Sequence, residues 1–278
     1  ILYMSSPNTS METSYTQIIK KLEDINPFKY SKDRNFIDGS VSRLSPYISR
    51  GVISTKIVFN FLMNKGYEFS KMEKFLQELC WRDYWQLIWI QKNNQINSDL
   101  RHQQVNVENR SLSSAIFNAE TGIDAIDKSI KNLYESGYMH NHSRMYVASL
   151  ACNIARSHWN VPAKWLYYNL LDADWGSNAL SWQWVCGTNS NKKYFANQEN
   201  INKYCHSNQK YTYLDVDYSV FEKLEVPNKL LETINPKLTT ILPKNKRLKL
   251  NSKLPTLLYN FYNLDPLWRK EERLNRVL

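Results

Sequence analysis

The sequence has little glycine and no long apolar run. Only seven of its 278 residues are glycine, and the apolar–polar alternation of half-buried strands is missing. No apolar run reaches the roughly 18 residues that a membrane-spanning helix needs, and no signal-peptide pattern opens the chain. These absences argue against a β-sheet fold or a membrane protein and predict an all-α protein.

Cysteine is also sparse, with four residues and no CxxC pair: Cys80, Cys152, Cys186 and Cys205. A chain of this length can bury an adequate core without disulfides, so we expect reduced thiols and a cytoplasmic protein. An iron–sulfur cluster needs four convergent thiolates, which this spacing disfavours. No other metal-ligand pattern is visible, so we expect no metal.

Large aromatic side chains and positive charge are abundant. The chain has nine Trp and eighteen Tyr, and Lys plus Arg exceed Asp plus Glu by ten, giving a pI near 9.3. A basic surface suits a polyanionic partner, most commonly a nucleic acid. The alternative is a basic surface that serves only solubility.

Helical periodicity predicts one helical domain over residues 15–225, after a flexible segment 1–14. Beyond it lies a basic C-terminal extension, 226–278, packed on the domain or appended to it. Asn-rich stretches at 93–111 and 187–203 are interpreted as loops. Helices are predicted over 15–24, from Ser45-Pro46 with Ser45 as N-cap, and over 71–93, 122–135, 141–157, 162–171 and 177–186.

Hydroxyl side chains precede one predicted helix start, in Gly39-Ser-Val-Ser-Arg-Leu-Ser-Pro-Tyr47. Free backbone N–H groups and the helix dipole favour an anion there, so a phosphate could bind. An ordinary capped helix is the alternative.

Two further motifs combine polar residues with apolar helices: Phe75–Trp85 with Glu78, and Gly137–Tyr146 with His140 and His142. A Trp stripe at helical spacing is usually core, although Glu78 and Trp81 could share the rim of a cavity. The two histidines point in different directions along a helix, so we expect structural, hydrogen-bonded side chains.

The segment Leu171–Trp184 carries two carboxylates, an Asn and three Trp within fourteen residues. Buried carboxylates are costly unless they are paired, and Arg144 is the obvious partner. A ligand with hydrogen-bond donors and a flat π system would explain carboxylates and aromatics together.

Four segments, in order, resemble the flavin-binding domain of DNA photolyases and cryptochromes: SRLSPYIS (42–49), FLQELCWRDYW (75–85), SGYMHNHSRMYVASL (136–150) and LLDADWGSNALSWQW (170–184). The resemblance covers residues 15–225. It implies an all-helical domain holding a U-shaped FAD, with Asn178 against flavin N5. The FAD-binding residues that it implies are Tyr30, Ser42, Leu44, Ser45, Arg144, Asp172, Asp174 and Asn178.

The resemblance also implies a site for a flipped-out pyrimidine dimer in single- or double-stranded DNA. The matching substrate-side residues are Glu78, Trp81, Asn141, Met145 and Trp184, with Trp81, Arg82 and Trp184 contacting DNA. Stacking on Trp and hydrogen bonding by Glu78 suit an extruded lesion that gains negative charge. Asn141 favours the cyclobutane-dimer branch over the (6-4) branch, and therefore a light-driven repair lyase.

The chain departs from the family pattern at several points. Too few residues precede the phosphate motif for the usual antenna domain, so we expect no antenna chromophore. We also expect a monomer. Val41 replaces a usual Thr, and His142 a common Arg. Trp182 and Trp159 match the electron-transfer chain, but Ile116 occupies its distal position.

Two alternatives stay open: a cryptochrome-like photoreceptor without repair activity, and a nucleic-acid-binding flavoprotein without light chemistry.

Overall fold

The computed structural model describes residues 11–240 and 248–278. Eleven α-helices follow one another in the described chain: α1 Tyr15–Lys20, α2 Pro27–Asp33, α3 Ser45–Ser49, α4 Thr55–Asn64, α5 Phe69–Lys92, α6 Ser114–Phe117, α7 Asp124–Ser136, α8 Asn141–Ser149, α9 Asn160–Asn169, α10 Trp175–Cys186 and α11 Gln198–Cys205. Four strands of two or three residues accompany them: β1 Leu112–Ser113, β2 Thr233–Ile234, β3 Thr256–Leu258 and β4 Asn275–Val277. The prediction of an all-α fold is confirmed.

Helix α7 illustrates how local sequence sets an element. Ile126, Ile130 and Leu133 recur at helical spacing and are buried, so one face packs on the core. The helix ends at Gly137, whose φ of 66° lies in the left-handed region. A Cβ on Gly137 would approach Leu171 Cγ to 2.5 Å, so this turn also fixes the segment leading into α10.

Several predicted boundaries change. Ser45 is the first residue of α3 and not its N-cap, a position that Leu44 occupies without a side-chain hydrogen bond. The helix predicted over 141–157 is α-helical only to Ser149 and continues as a π-helical turn, Leu150–Ile154. The loop predicted over 187–203 contains the start of α11, where the Asn197 side chain accepts a hydrogen bond from Asn200 N and caps the helix.

Four of the described helices were not predicted: α2, α4, α6 and α11. Helix α2 begins at Asn26-Pro27, where the Asn26 side chain accepts a hydrogen bond from Lys29 N. Helix α4 begins at Ser54, whose hydroxyl accepts one from Ile57 N. Both starts carry a polar N-cap, and α2 also has Pro at its first position, which costs no backbone hydrogen bond there.

The buried apolar side chains form two clusters. One is built from residues 18–76 and the other from residues 112–230. Helix α5 joins them, because its first half contributes Phe75 to the first cluster and the helix packs against α2, α4 and α10. A Cβ on Gly176 of α10 would lie 3.2 Å from Trp85 O on α5, so the two helices approach closely beside the second cluster.

The C-terminal extension contacts the helical domain at several places. Strand β2 pairs antiparallel with β1, and β3 pairs parallel with β4 within the extension. The basic residues Lys244, Lys246 and Arg247 lie outside the described residues, as does most of segment 1–14. Among the described residues, no helix combines the length and apolar character needed to cross a bilayer.

Candidate active site

Arg144 and Asp172 form a charged pair between α8 and the segment that precedes α10. Arg144 Nη2 lies 2.9 Å from both Asp172 carboxylate oxygens, and Arg144 Nε donates to Met139 O at 2.8 Å. Asp172 is only 5% exposed. Burial alone would raise its pKa, but Arg144, Arg82 and a hydrogen bond from Ser45 outweigh burial and hold the pKa below its ordinary value. Asp172 is therefore a buried, compensated anion.

Asp174 fixes the start of α10. Its Oδ1 accepts a hydrogen bond from Ser177 N at 2.7 Å, which makes it the N-cap. Its Oδ2 accepts a second bond from Gln86 Nε2 of α5. The carboxylate, which is 7% exposed, therefore ties α5 to α10. One turn later, the buried Asn178 side chain donates from Nδ2 to Ala163 O at 2.9 Å.

The residues expected at the flavin phosphates separate into three environments. Ser42 lines a cleft of about 360 Å³ together with Ser40, Val41 and Lys29. Leu44 is fully buried in the first cluster. Ser45 points to Asp172.

Tyr30 packs edge-on against Phe75, with ring centroids 4.9 Å apart. Burial, with help from the Glu78 carboxylate, raises the pKa of Tyr30. Its hydroxyl is therefore protonated at neutral pH. Since Arg82 influences both Tyr30 and Asp172, these groups share one neighbourhood.

The expected lesion-facing residues of α5 are partly solvent-exposed. Glu78 lies 3.0 Å from Lys74 Nζ and 3.7 Å from Arg34 Nε. Trp81 is 43% exposed and stacks on Trp85, with ring centroids 5.1 Å apart. The carboxylate and the indole therefore sit on an accessible face of α5.

The other expected lesion-facing residues lie on α8 and α10. Trp184, near the end of α10, is 42% exposed and lies against Tyr194 at a centroid distance of 5.9 Å. Asn141 opens α8 and is exposed, whereas Met145, one turn later, is half-buried. Three adjoining helices thus present polar and aromatic side chains to solvent.

His140 and His142 differ from the expectation of hydrogen-bonded structural histidines. His140 Nδ1 accepts a bond from His142 N and caps α8. However, the buried Nε2 atoms of both rings have no hydrogen-bond partner; the Arg34 backbone lies near the His140 ring, outside hydrogen-bonding geometry. Burial, followed by nearby positive charge, lowers the pKa of His140 to about 4. Burial and His140 lower that of His142 to about 4.

The two tryptophans expected to carry electrons lie in the second cluster, where Trp182 and Trp159 are both buried. Trp159 Nε1 donates to Asp99 Oδ1 at 2.7 Å, and His158 Nε2 lies 3.2 Å from the same oxygen. Ile116, at the expected distal position, is fully buried.

Sequence reasoning missed Asp99 because it falls in a stretch interpreted as loop. Its role depends on a contact across 60 positions, which local sequence does not reveal.

The polar atoms around Asp172 fit a polar, anionic ligand such as FAD. Unpartnered buried atoms occur on the first turns of α8 and α10, namely His142 Nε2 and Ser177 Oγ, and such atoms are costly unless a partner satisfies them. Arg144 and Arg82 supply positive charge near Asp172, and Lys29 supplies it at the cleft beside Ser42. In the part of the chain that the structure describes, no group of three His, Cys, Asp or Glu side chains could hold a metal ion.

Comparison with known proteins gives consistent results. Residues 75–222 match the family described as the FAD binding domain of DNA photolyase. A deoxyribodipyrimidine photo-lyase of Alkalihalophilus pseudofirmus is 27% identical over 206 residues, covering 65% of this chain and 43% of that protein. A chloroplastic/mitochondrial cryptochrome DASH of Solanum lycopersicum is 29% identical over 175 residues, covering 59% of this chain and 30% of that protein.

A solved structure supports the fold. The Synechocystis cryptochrome superposes with a TM-score of 0.62 at 20% identity, covering 71% of this chain and 44% of that chain. The chain spans less than half the length of the curated relatives it matches. Since the family match extends over more than half of its residues, the chain belongs to the photolyase FAD-binding family.

Proposed function

We propose that this protein is a light-driven lyase that splits cyclobutane pyrimidine dimers in DNA. The observation that carries the proposal is the arrangement of two exposed tryptophans, Trp81 and Trp184, with Glu78, on helices α5 and α10. The same helices are tied together by the buried Asp174. A cofactor side and a substrate side therefore share one pair of helices.

On the cofactor side, Arg144, Asp172, Asp174 and Asn178 would hold the flavin, and Ser42 with Lys29 would face its phosphates. Bound FAD, in its reduced form, would supply one electron after absorbing blue or near-UV light. The paired carboxylate of Asp172 would orient the ring without needing a proton, because Arg144 keeps it ionised. The low exposure of Asp172 and Asp174 would exclude water from the ring edge.

On the substrate side, Trp81 and Trp184 would stack on the extruded dimer, each contributing about 1–3 kcal/mol. A dimer is less costly to extrude than an undamaged base. Glu78 would hold Lys74 and Arg34, which lie 3.0 and 3.7 Å from its carboxylate, so that their hydrogen-bond donors and positive charge face the dimer carbonyls. These would stabilise the negative charge that arrives with the electron, and ring cleavage would then return the electron.

The central experiment illuminates reduced, FAD-loaded protein with dimer-containing oligonucleotides, single- and double-stranded. We expect light-dependent loss of dimers in at least one of the two. Absence of any loss in both would defeat the proposal. Glu78→Ala should lower the repair yield while FAD stays bound, and Glu73→Ala, an exposed residue of the same helix, is the matched control.

A photoreceptor function is the second candidate, favoured by the similarity to cryptochrome DASH. It has no need of a dimer clamp, so Trp81→Ala and Trp184→Ala would leave its light response unchanged. The flavin spectrum followed during illumination, beside the dimer assay, separates the two functions: a spectral change without dimer loss supports the photoreceptor.

Two further expectations belong to the proposal. FAD is expected as the chromophore, without an antenna pigment, and the protein is expected to act as a monomer in the cytoplasm. Chromatography of the pigment released on denaturation tests the first, since a second chromophore would contradict it. Light scattering of the purified protein tests the oligomeric state.

A further inference from the structure

Residues 260–265, here called the strap, dock onto the turn after α3. Arg50 Nη1 donates to Phe261 O at 3.4 Å, and Leu264 N donates to Arg50 O at 2.9 Å. Gly51 has a φ of +64°, and a Cβ there would lie 2.3 Å from Tyr262 O. Only glycine allows this approach, so the backbone of the strap packs directly against the backbone of the turn.

Tyr262 of the strap reaches the first residue of α10. Its hydroxyl accepts a hydrogen bond from Trp175 N at 3.3 Å and shares another with the Tyr167 hydroxyl at 2.9 Å. Its ring lies edge-on to Trp89 of α5 at 5.7 Å. The first backbone N–H groups of a helix have no acceptor within the helix, so Tyr262 supplies one from outside.

The strap also reaches the other end of the segment that carries the two carboxylates. Arg50, which holds the strap, donates from Nη2 to Leu171 O at 3.3 Å. Leu171 and Trp175 immediately flank Asp172, Ala173 and Asp174. Both ends of this five-residue segment are therefore fixed by contacts that pass through Arg50 or Tyr262. Burial and the Tyr167 hydrogen bond raise the pKa of Tyr262, with Asp174 adding to the shift, so the hydroxyl stays protonated.

We propose that Tyr262 is a positioning residue of the flavin site, which holds the 171–175 segment so that Asp172 and Asp174 are preorganised for the cofactor. This rests on the proposed function for the identity of the ligand, but not for the ordering of the segment. A preorganised segment loses less conformational entropy on binding, so ligand affinity rises without any new contact to the ligand.

The test compares Tyr262→Phe with Tyr259→Phe. Tyr259 lies just outside the strap; its hydroxyl accepts from Arg276 Nη1 at 2.6 Å, so the control also loses a hydroxyl hydrogen bond, but away from α10. In flavin-free protein, amide hydrogen exchange of the 171–177 peptide should quicken about 2- to 10-fold in Tyr262→Phe only, because the Trp175 N–H loses its acceptor together with the bond to the Tyr167 hydroxyl. In loaded protein, the FAD dissociation constant should rise by about the same factor, with a shift in the flavin absorption bands.

Gly51→Ala provides a second route, because it displaces the strap backbone at Tyr262 without removing the Tyr262 hydroxyl from the chain; we expect the same local pattern of exchange. Unchanged exchange and unchanged FAD affinity in Tyr262→Phe would overturn the proposal. Faster exchange spread evenly over all helices would also overturn it, since that marks a purely structural residue. If the wild-type protein binds no FAD, the proposed function fails, while the exchange result still decides the role of Tyr262.

Discussion

The two sides of the site are built differently. Arg144, Asp172, Asp174 and Asn178, the buried side, are bonded to one another or to neighbouring helices. Glu78, Trp81 and Trp184, the exposed side, contact mainly flexible or aromatic neighbours at the surface. A buried side must be complete before the ligand arrives, since unpaired buried charges are costly. An exposed side can exchange water for a substrate at little cost. Substitutions on the buried side should therefore lower the free energy of unfolding more than substitutions on the exposed side.

Arg144→Ala should have the largest effect. It leaves Asp172 as a buried anion without its partner, at a cost of about 3–5 kcal/mol in the free energy of unfolding. Urea unfolding of flavin-free protein measures it. Arg269→Ala, which removes an exposed pair with Glu272, should change stability little. Equal effects of the two variants would contradict the comparison, and Asp172→Asn added to Arg144→Ala should recover part of the loss.

The second-largest effect should come from lowering the pH, which should reduce the free energy of unfolding by protonating two further buried side chains. His140 and His142 have pKa values of about 4 in the folded protein, below the ordinary value near 6.5. Between these values the unfolded chain binds more protons, so stability falls as the pH falls from 6.5 towards 4. We expect a loss on the order of 1–2 kcal/mol between pH 7 and 5, allowing for solvent screening.

Unfolding free energies of flavin-free protein at pH 7.5, 6 and 5 measure this loss. His140→Asn keeps a capping side chain but cannot titrate, so its profile should be flatter. A wild-type profile without slope would show that the two histidines are not buried as neutral groups.

Asp174→Ala should have an intermediate effect, about 1–2 kcal/mol, because it removes the cap of α10. Asp174→Asn retains an acceptor for Ser177 N and should stay close to wild type in stability, while removing the carboxylate charge. Thermal unfolding of the two variants separates the cap from the charge. Equal destabilisation by Ala and Asn would mean that the charge, and not the cap, dominates.

Glu78→Ala should have the smallest effect on stability, below about 1 kcal/mol, because its ion pairs with Lys74 and Arg34 are partly exposed. The same urea titration measures it. A loss as large as that of Arg144→Ala would show that Glu78 stabilises the fold, and the proposed difference between the buried side and the exposed side would not hold.

Local sequence predicted the fold well where helical periodicity and caps agree. Helices α5, α7 and α10 each begin within two residues of the prediction. Helix α11 was missed because its Asn-rich sequence is typical of loops, although one of those residues, Asn197, is its cap. Helix α2 was missed because no helix was predicted between residue 24 and Ser45, although Asn26-Pro27 carries both a capping side chain and a first-turn proline.

The candidate site shows the same limit. The density of carboxylates beside aromatics pointed to the Arg144 and Asp172 pair, which lies 28 positions apart in the chain and is present in the structure. The contacts of Asp99 with Trp159 and of Tyr262 with Trp175 have no such local signal. They depend on how distant segments meet, so only the three-dimensional arrangement reveals them.

The turn at Gly137 has a consequence for how far the site can change. Leu171 N donates to Gly137 O at 2.8 Å, and the space above the glycine is filled by the Leu171 side chain. The free space beside the Gly137 Cα is therefore too small for a methyl group. Any larger side chain would push on the residue next to Asp172, so a substitution at the end of α7 would be transmitted as a displacement of the carboxylate.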